Sequence, residues 1–336
     1  MNATIIIQKV QSMPRPNEGG KDARQTVRRN ASETGSWEEA FVAALEEDDL
    51  EGLFSVLDSQ KTAHAGTPRQ AVKLKAVKLI ERHCGGSLAS LYKTGVAFAR
   101  SRNEGAQEIG LVVLAPQFDR NPAEVTEIVL ELADSENWEV REWAASALRR
   151  IIAGEFDAIF ATLQAWAGHE SPNLRRAVAV AGAWAAKDLT EERCRLMLEV
   201  LGPLMEDDDP YVRKNMGAYA IGDSFLKAQP KLVAAWLGMA SENERSQWNV
   251  AMALSSAEAA NHFELLSKLL WGLAADDRTV VRRATYRAVL NLAKRLPGEI
   301  VPLVASWKTD SQRSHVYLRV WPKIEDLETQ ARPSSR

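Results

Sequence analysis

Apolar side chains recur along most of the chain three or four residues apart, in stripes separated by short polar breaks. Positions with this spacing lie on one face of an α-helix. One stripe contains Phe156, Ile159, Phe160, Leu163 and Trp166, and after a break at 168–172 the next contains Leu174, Val178, Ala181 and Trp184. Prolines stand where hairpins would turn, and no useful length of sequence alternates as a strand does. The pattern predicts an all-α chain of helical hairpins.

These hairpins repeat. The segment NWEVREWAASALRR, with Arg141 at its fifth position, resembles segments around Arg175, Arg213 and Arg282, each with an aliphatic residue, a cation and a small-residue helix. The anchor positions are Lys73, Gln107, Arg141, Arg175, Arg213, Arg245 and Arg282; most spacings give a period of about 34 to 38 residues, and Arg213 and Arg245 are 32 apart. A segment near Arg313 has the character of a capping unit. Self-similarity of this kind predicts stacked repeats.

Aspartates stand upstream of the anchors, at Asp134, at Asp207 to Asp209, and at Asp276 with Asp277. This period, with Asp before a Val-Arg pair, is similar to HEAT repeats. We therefore predict a right-handed α-solenoid of about seven HEAT-like hairpins over 36–327, with a flexible leader at 1–35 and a frayed tail at 328–336. The aspartates are expected to form ion pairs between repeats and helix caps.

Charge is segregated within the chain. The 336 residues have a net charge of −3, which shows no global basic excess, yet the second-helix segments 71–83, 141–152, 174–186, 212–227 and 281–295 together carry +14. Stacked second helices would align the cations in a basic stripe: Lys73, Arg149, Arg150, Arg175, Arg176, Arg213, Lys214, Arg282, Arg283 and Arg287. Such a stripe fits a phosphate backbone. Pairing between repeats, or an acidic protein partner, remains the alternative.

Tryptophan marks a second candidate feature. Trp166, Trp236 and Trp307 occupy similar places late in first helices, which indicates packing positions. Trp138 instead precedes an anchor in the turn, so its ring is expected to be exposed, with Glu142 four residues later on the same helical face. An aromatic ring, a carboxylate and an arginine of the next repeat would together suit a cationic lesion. The alternative is that Glu142 pairs with a neighbouring arginine.

Other chemistry has no support in the sequence. There is no glycine-rich phosphate loop and no His-Glu-x-x-His motif, and the five histidines are scattered. Cys84 and Cys194 cannot form a disulfide framework or a tetrahedral zinc site, so we expect no metal, no cofactor and a reducing cytoplasm. The longest apolar stretch, 177–186, is too short for a membrane span.

The succession NWEVRE, NLRRAV and YVRKNMG with FLKAQPKLVAAWL resembles the DNA alkylation repair family of HEAT-like alkylpurine glycosylases, the AlkD type, over about residues 70 to 310. The resemblance implies double-stranded DNA as partner, including alkylated DNA, and excision of N3- or N7-alkylpurines. It places Trp138 and Glu142 in the catalytic site and the family arginine at Arg175 or Arg176. The remaining predicted DNA-binding residues are Arg149, Arg213, Lys214, Tyr219, Arg282 and Arg283.

Two departures from the family pattern bear on activity. The family acid is Asp, whereas this chain has Glu142, which reaches further. Where the family has Gly-Trp, this chain has Gly217 and Ala218, with Tyr219 one residue on and rotated by about 100° in an α-helix. Two functions stay open: a monomeric DNA-binding protein of alkylation repair with glycosylase activity, and a noncatalytic HEAT-repeat scaffold for protein partners.

Overall fold

The computed structural model describes residues 36–327. Within that range the chain is helical, with an isolated bridge between Lys61 and Pro68 and no β-strand. The prediction of an all-α helical repeat fold is confirmed, and the handedness stays a prediction. The leader predicted at 1–35 and the tail predicted at 328–336 lie outside the described residues. Among the helices of residues 36–327, none has the combination of length and hydropathy that a membrane span requires.

The chain divides into two compact units between Val113 and Leu114. The core of the N-terminal unit is aromatic: Phe98 makes edge contacts with Phe41 and Phe54, at ring-centroid distances of 6.4 and 5.7 Å. Such edge contacts stabilise a core beyond the area they bury. The helices that begin in this unit are α1 Trp37–Glu46, α2 Leu50–Ser59, α3 Gln70–His83, α4 Leu88–Ala99 and α5 Glu104–Leu114.

Lys73 does not belong to a basic surface. Its side chain and that of Glu108 are both 0% exposed, and Nζ lies 2.5 Å from Glu108 Oε2. Nζ also donates to Thr67 Oγ1 at 3.1 Å. The predicted place of Lys73 in the basic stripe is therefore wrong, because a fully buried lysine that is paired with a buried carboxylate cannot meet a ligand.

The C-terminal unit continues the hairpins. Five of its α-helices begin with a proline, at Pro122, Pro172, Pro210, Pro230 and Pro297, where a missing N–H costs nothing. A ten-residue π-helix, Met216–Phe225, interrupts the α-helical series. The α-helices are α6 Pro122–Ala133, α7 Trp138–Gly154, α8 Phe156–Ala167, α9 Pro172–Ala185, α10 Glu191–Leu201, α11 Pro210–Arg213, α12 Leu226–Ala228, α13 Pro230–Ala240, α14 Gln247–Ala253, α15 Ala257–Asn261, α16 Phe263–Leu273, α17 Thr279–Arg295, α18 Pro297–Ser306 and α19 Ser314–Val320.

Three of the anchors hold the turn of their own hairpin in the same way. Arg141 Nη1 and Arg175 Nη1 each donate to the carbonyl six residues earlier, at 2.7 and 2.8 Å. Gln107 Nε2 does the same at 2.9 Å. In the sixth repeat Gln247, and not Arg245, makes this bond, at 2.8 Å. The anchor position needs a long side chain with an N–H donor, and glutamine supplies one as well as arginine does.

Carboxylates join consecutive repeats. Asp134 accepts from Ser171 Oγ at 2.6 Å, and Arg193 pairs with Asp157 at 2.7 Å. Caps complete the helix ends; for example, Asn137 Oδ1 accepts from Glu139 N at the start of α7. Of the aspartates expected to form ion pairs between repeats, Asp207 and Asp208 do so, with Arg175 and Arg245, whereas Asp276 pairs with Arg278 of its own turn.

Candidate functional site

Three second-helix elements of consecutive repeats lie side by side: α7 packs against α9, and α9 packs against the π-helix. Residues 34 to 40 positions apart in sequence therefore become neighbours. Small residues allow the close approach, since Ala144, Ala179 and Gly182 are buried in this layer. The face that these elements form carries the side chains that the sequence singled out.

Trp138 is the first residue of α7 and its side chain is 41% exposed, as expected from its place in the turn. Glu142 follows one helical turn later. Since α7 is α-helical from Trp138 onward, the two residues lie on the same helical face. The ring and the carboxylate therefore border one open surface.

Glu142 is paired with Arg176. Arg176 Nη2 donates to Glu142 Oε1, and the two side chains are 13% and 30% exposed respectively. Of the two arginines that the family resemblance allowed, the structure brings Arg176 to Glu142. The sequence analysis gave such an inter-repeat ion pair as the alternative role of Glu142. Glu142 thus has an arginine partner and is also partly exposed to solvent.

Arg175 serves the turn of its own repeat. Its Nε donates to Asp207 Oδ2 at 2.6 Å, and Nη1 donates to the carbonyls of His169 and Glu170, both at 2.8 Å. Hydrogen bonding to Asp207 raises the pKa of the Arg175 guanidinium further. Its donors are therefore occupied within the protein.

Arg149 is engaged in the same way, since its Nη2 donates to Asp188 and its Nε to the Trp184 carbonyl at 3.4 Å. The next residue, Arg150, is partly buried, and burial lowers the pKa of its guanidinium, with the charge of Arg149 acting in the same direction. These two cations of the predicted stripe thus lie in a crowded part of α7.

The π-helix brings Tyr219 to this face. Its hydrogen bonds span five residues, as between Ala220 N and Asn215 O at 3.1 Å, so each turn holds an extra residue. Tyr219 Oη accepts from Trp184 Nε1 on α9. Burial raises the pKa of the Tyr219 phenol. The hydrogen bond from Trp184 acts to lower this pKa, and the charge of Glu142 acts to raise it. The α-helical offset of 100° is therefore wrong for Tyr219, because the segment is not α-helical.

Two glycines permit the π-helix to lie against α14. A Cβ at Gly217 would fall 2.6 Å from the Asn249 carbonyl, and a Cβ at Gly222 would fall 2.8 Å from the Ala253 carbonyl. Asn249 Oδ1 accepts from Gly217 N at 3.0 Å. The spacing of Gly217 and Gly222 was a signal in the sequence, since glycine marks close approach of two backbones.

Tyr211 is a neighbour that the sequence analysis missed. Its ring lies 4.9 Å from Arg176 Cζ and 5.0 Å from Lys214 Nζ. Lys214 itself is exposed. An aromatic side chain on the four-residue helix α11 is thus shared by two predicted DNA-binding residues.

The cations further along the chain have different surroundings. Arg213 Cζ lies 5.4 Å from the Trp248 ring centroid. Arg282 Nε lies 3.3 Å from Tyr286 Oη and 3.2 Å from His315 Nδ1. Burial lowers the pKa of His315, and the charge of Arg282 lowers it further.

Arg283 and Arg287 on α17 are exposed, and neither forms an ion pair with a carboxylate of the described residues. Glu142, Arg176 and Tyr219 also lie outside an open cavity of about 650 Å³, which is lined by the turns around Arg175, Asp207 and Arg245. Apart from Arg175, the predicted site residues thus lie outside that cavity.

Residues 71–237 match the sequence model of a family described as DNA alkylation repair enzyme. Among curated proteins no match was found. Two solved structures are similar over most of the chain. An engineered protein is 19% identical, with 87% of this chain and 81% of that chain covered and a TM-score of 0.32. YibA of Escherichia coli is 17% identical, with 88% and 99% covered and a TM-score of 0.38.

Proposed function

Because this chain belongs to the DNA alkylation repair family, we propose that it binds duplex DNA and excises N3- or N7-alkylated purines as a DNA glycosylase. The observation that carries the proposal is the meeting of Glu142, Arg176 and Tyr219 on three consecutive second-helix elements, with Trp138 exposed one turn from Glu142. The substrate would be a base that already carries positive charge.

Glu142 would supply electrostatic stabilisation. When the glycosidic C–N bond of a cationic base breaks, its electron pair leaves with the base, which becomes neutral, and positive charge develops on the sugar. A carboxylate beside that sugar stabilises the transition state more than the ground state. Water then supplies the hydroxyl group to the sugar and releases a proton to solvent. The cationic purine is a good leaving group, so the proposal invokes no metal and no cofactor.

Arg176 would orient Glu142. The ion pair engages one carboxylate oxygen, and the 30% exposure of Glu142 leaves one side open to a ligand. Trp138 and Tyr219 would contribute aromatic faces, which attract a cationic base by the cation–π interaction. The site would therefore select for positive charge on the base.

Phosphates of the duplex would meet Lys214 and Arg283, which are exposed and form no ion pair within residues 36–327, with Arg213 and Arg282 beside them. We assign Arg149 and Arg175 to holding the repeats together, because Asp188 and Asp207 occupy their guanidinium groups. Contacts of this kind give affinity that falls with salt but carry no sequence information. We further propose that the protein is a monomer. We also propose that it works in the cytoplasm, a reducing compartment, since Cys84 and Cys194 are free thiols.

The second candidate is a noncatalytic scaffold for protein partners. The Glu142–Arg176 ion pair favours it, because the pair fits the ladder that joins consecutive repeats. In that case Glu142 would stabilise the array and perform no chemistry.

The decisive experiment uses the full chain with intact duplex and with duplex containing N7-methylguanine or N3-methyladenine, at two salt concentrations. A glycosylase releases free methylated base and binds DNA more weakly at the higher salt. Binding without base release would contradict the catalytic part of the proposal. Binding of neither duplex would favour the scaffold.

A further inference from the structure

Three cations surround one tyrosine ring at the edge of the site. The Tyr211 ring centroid lies 4.9 Å from Arg176 Cζ and 5.0 Å from Lys214 Nζ. Arg141 Cζ lies 5.8 Å away, and its Nη2 donates to Tyr211 Oη at 3.5 Å. All three distances are within the reach of a cation–π interaction. Helices α7, α9 and α11, with Lys214 directly after α11, thus meet at this ring.

The group has an excess of positive charge. Within the described residues Glu142 is the carboxylate that pairs with a member of the group, through Arg176. The neighbouring carboxylate of Asp209 caps α11 by accepting from Tyr211 N at 2.7 Å. The Nε atoms of Arg141 and Arg176 are buried without a hydrogen-bond partner in the described part. Since like charges repel, the negative face of the ring is the feature that favours their approach.

We propose that this cluster is a phosphodiester-binding site in which Tyr211 is a positioning residue. Lys214 is exposed, and Arg176 has N–H donors besides the one that Glu142 occupies. These two side chains would therefore donate hydrogen bonds to the same phosphate group. Arg141 would not, because its Nη1 is held by the carbonyls of Ser135 and Glu136 at 2.7 and 2.9 Å.

The inference rests on the proposed function and deepens it. Arg176 touches both Glu142 and the Tyr211 ring, so a phosphate at the cluster would lie next to the carboxylate. The bound group would then belong to the DNA strand that carries the base at Glu142. A tyrosine ring, unlike a carboxylate, can hold Lys214 in place without neutralising the charge that attracts the phosphate.

A double-mutant cycle on the full chain tests the inference. Duplex affinity is measured at several salt concentrations for the wild type, Tyr211→Leu, Lys214→Ala and the double variant. We expect Lys214→Ala to reduce the slope of log K against log salt by about one. We expect Tyr211→Leu to weaken binding about 2- to 30-fold. The double variant should have nearly the same duplex affinity as whichever single variant binds less tightly.

Two further variants separate positioning from packing. Tyr211→Phe keeps the ring and should bind DNA nearly as the wild type does, whereas a site that needs the hydroxyl would lose affinity. Lys227→Ala is the matched control, because Lys227 is an exposed lysine that pairs with Glu258 at 3.3 Å. It should leave the salt slope unchanged.

The outcomes are distinct. Additive losses in the cycle, or an unchanged salt slope for Lys214→Ala, overturn the inference while DNA binding stands. A wild-type protein that binds no duplex overturns the proposed function and the inference with it. If Tyr211→Leu fails to fold, Lys214→Ala and Tyr211→Phe still decide, because Lys214 is exposed and phenylalanine fills the same space.

Discussion

Helices α9 and α17 both carry a pair of arginines at their fourth and fifth positions, and the structure uses the two pairs differently. In α9, Arg175 pairs with Asp207 and Arg176 pairs with Glu142, so both cations are bound to acids of neighbouring repeats. In α17, Arg283 is exposed and forms no ion pair within the described range.

The difference arises in the next repeat along the chain. Asp207 lies in the turn before α11 and pairs with Arg175 of the preceding repeat. The corresponding acid after α17 is Asp310, which pairs with Arg313 of its own turn at 3.0 Å. Arg282 instead lies against Tyr286 and His315. One sequence signature thus gives an ion-pair ladder in one region and an exposed basic surface in the other, according to which acids are available.

The largest expected effect concerns the paired region. Glu142→Gln keeps the shape and removes the charge, so single-turnover release of N7-methylguanine should fall by roughly 10- to 1000-fold with DNA affinity little changed. Asp157→Asn is the control, because that carboxylate pairs with Arg193 away from the site. An unchanged rate in Glu142→Gln would place Glu142 in the ladder alone.

Removal of a ladder arginine should appear in stability. Arg175→Ala leaves the Asp207 side chain, which is 5% exposed, without its main partner, so the free energy of unfolding should fall by about 1.5–3 kcal/mol. Urea denaturation measures this. Arg193→Ala breaks an exposed pair and should cost less than about 1 kcal/mol. Equal costs for both variants would refute the ladder assignment of Arg175.

The exposed aromatic ring should affect selectivity. Trp138→Ala should weaken binding of methylated duplex relative to intact duplex, because stacking on a base contributes about 1–3 kcal/mol. Competition binding with the two duplexes gives the ratio. Trp271→Ala serves as control, since Trp271 is similarly exposed at 42% and lies under Arg313. A ratio that does not change in Trp138→Ala would exclude stacking on the lesion.

The α17 surface should respond in DNA affinity and not in stability. Arg283→Ala should reduce the salt slope of duplex binding by about one and leave the urea midpoint unchanged. This is the converse of the result expected for Arg175→Ala. A stable protein with an unchanged salt slope would show that the basic surface of α17 does not meet DNA.

The smallest expected effect is a pH dependence of stability at His315, which lies on α19 against Arg282 of α17. Because the pKa of His315 is lowered in the folded protein, the unfolded chain takes up a proton first as the pH falls. Stability should therefore be full above the ordinary histidine pKa, near 6.5, and decline as the pH falls through the folded value. Thermal unfolding of wild type and His315→Gln between pH 8 and pH 5 measures the difference. Parallel curves for the two proteins would contradict this assignment.

Local periodicity determined much of this protein. The apolar stripes, the prolines at helix starts and the repeated cation motif predicted helical hairpins and their approximate limits, because these depend on neighbours in sequence. The motif around Trp138 and Glu142 also pointed to the family and to an exposed ring. Those features follow from the 3.6-residue period and from backbone restrictions that act within one turn.

Contacts between repeats decided the rest. The choice of Arg176 over Arg175 for Glu142 depends on how α9 is rotated against α7, and adjacent residues on a helix point about 100° apart. The burial of Lys73 and the π-helical register of Tyr219 were equally hidden, since each depends on a partner, Glu108 or Asn249, from another helix. Tyr211 acquires its three cations only when three repeats meet. A sequence fixes which groups a chain contains, whereas burial and facing surfaces select which of them interact.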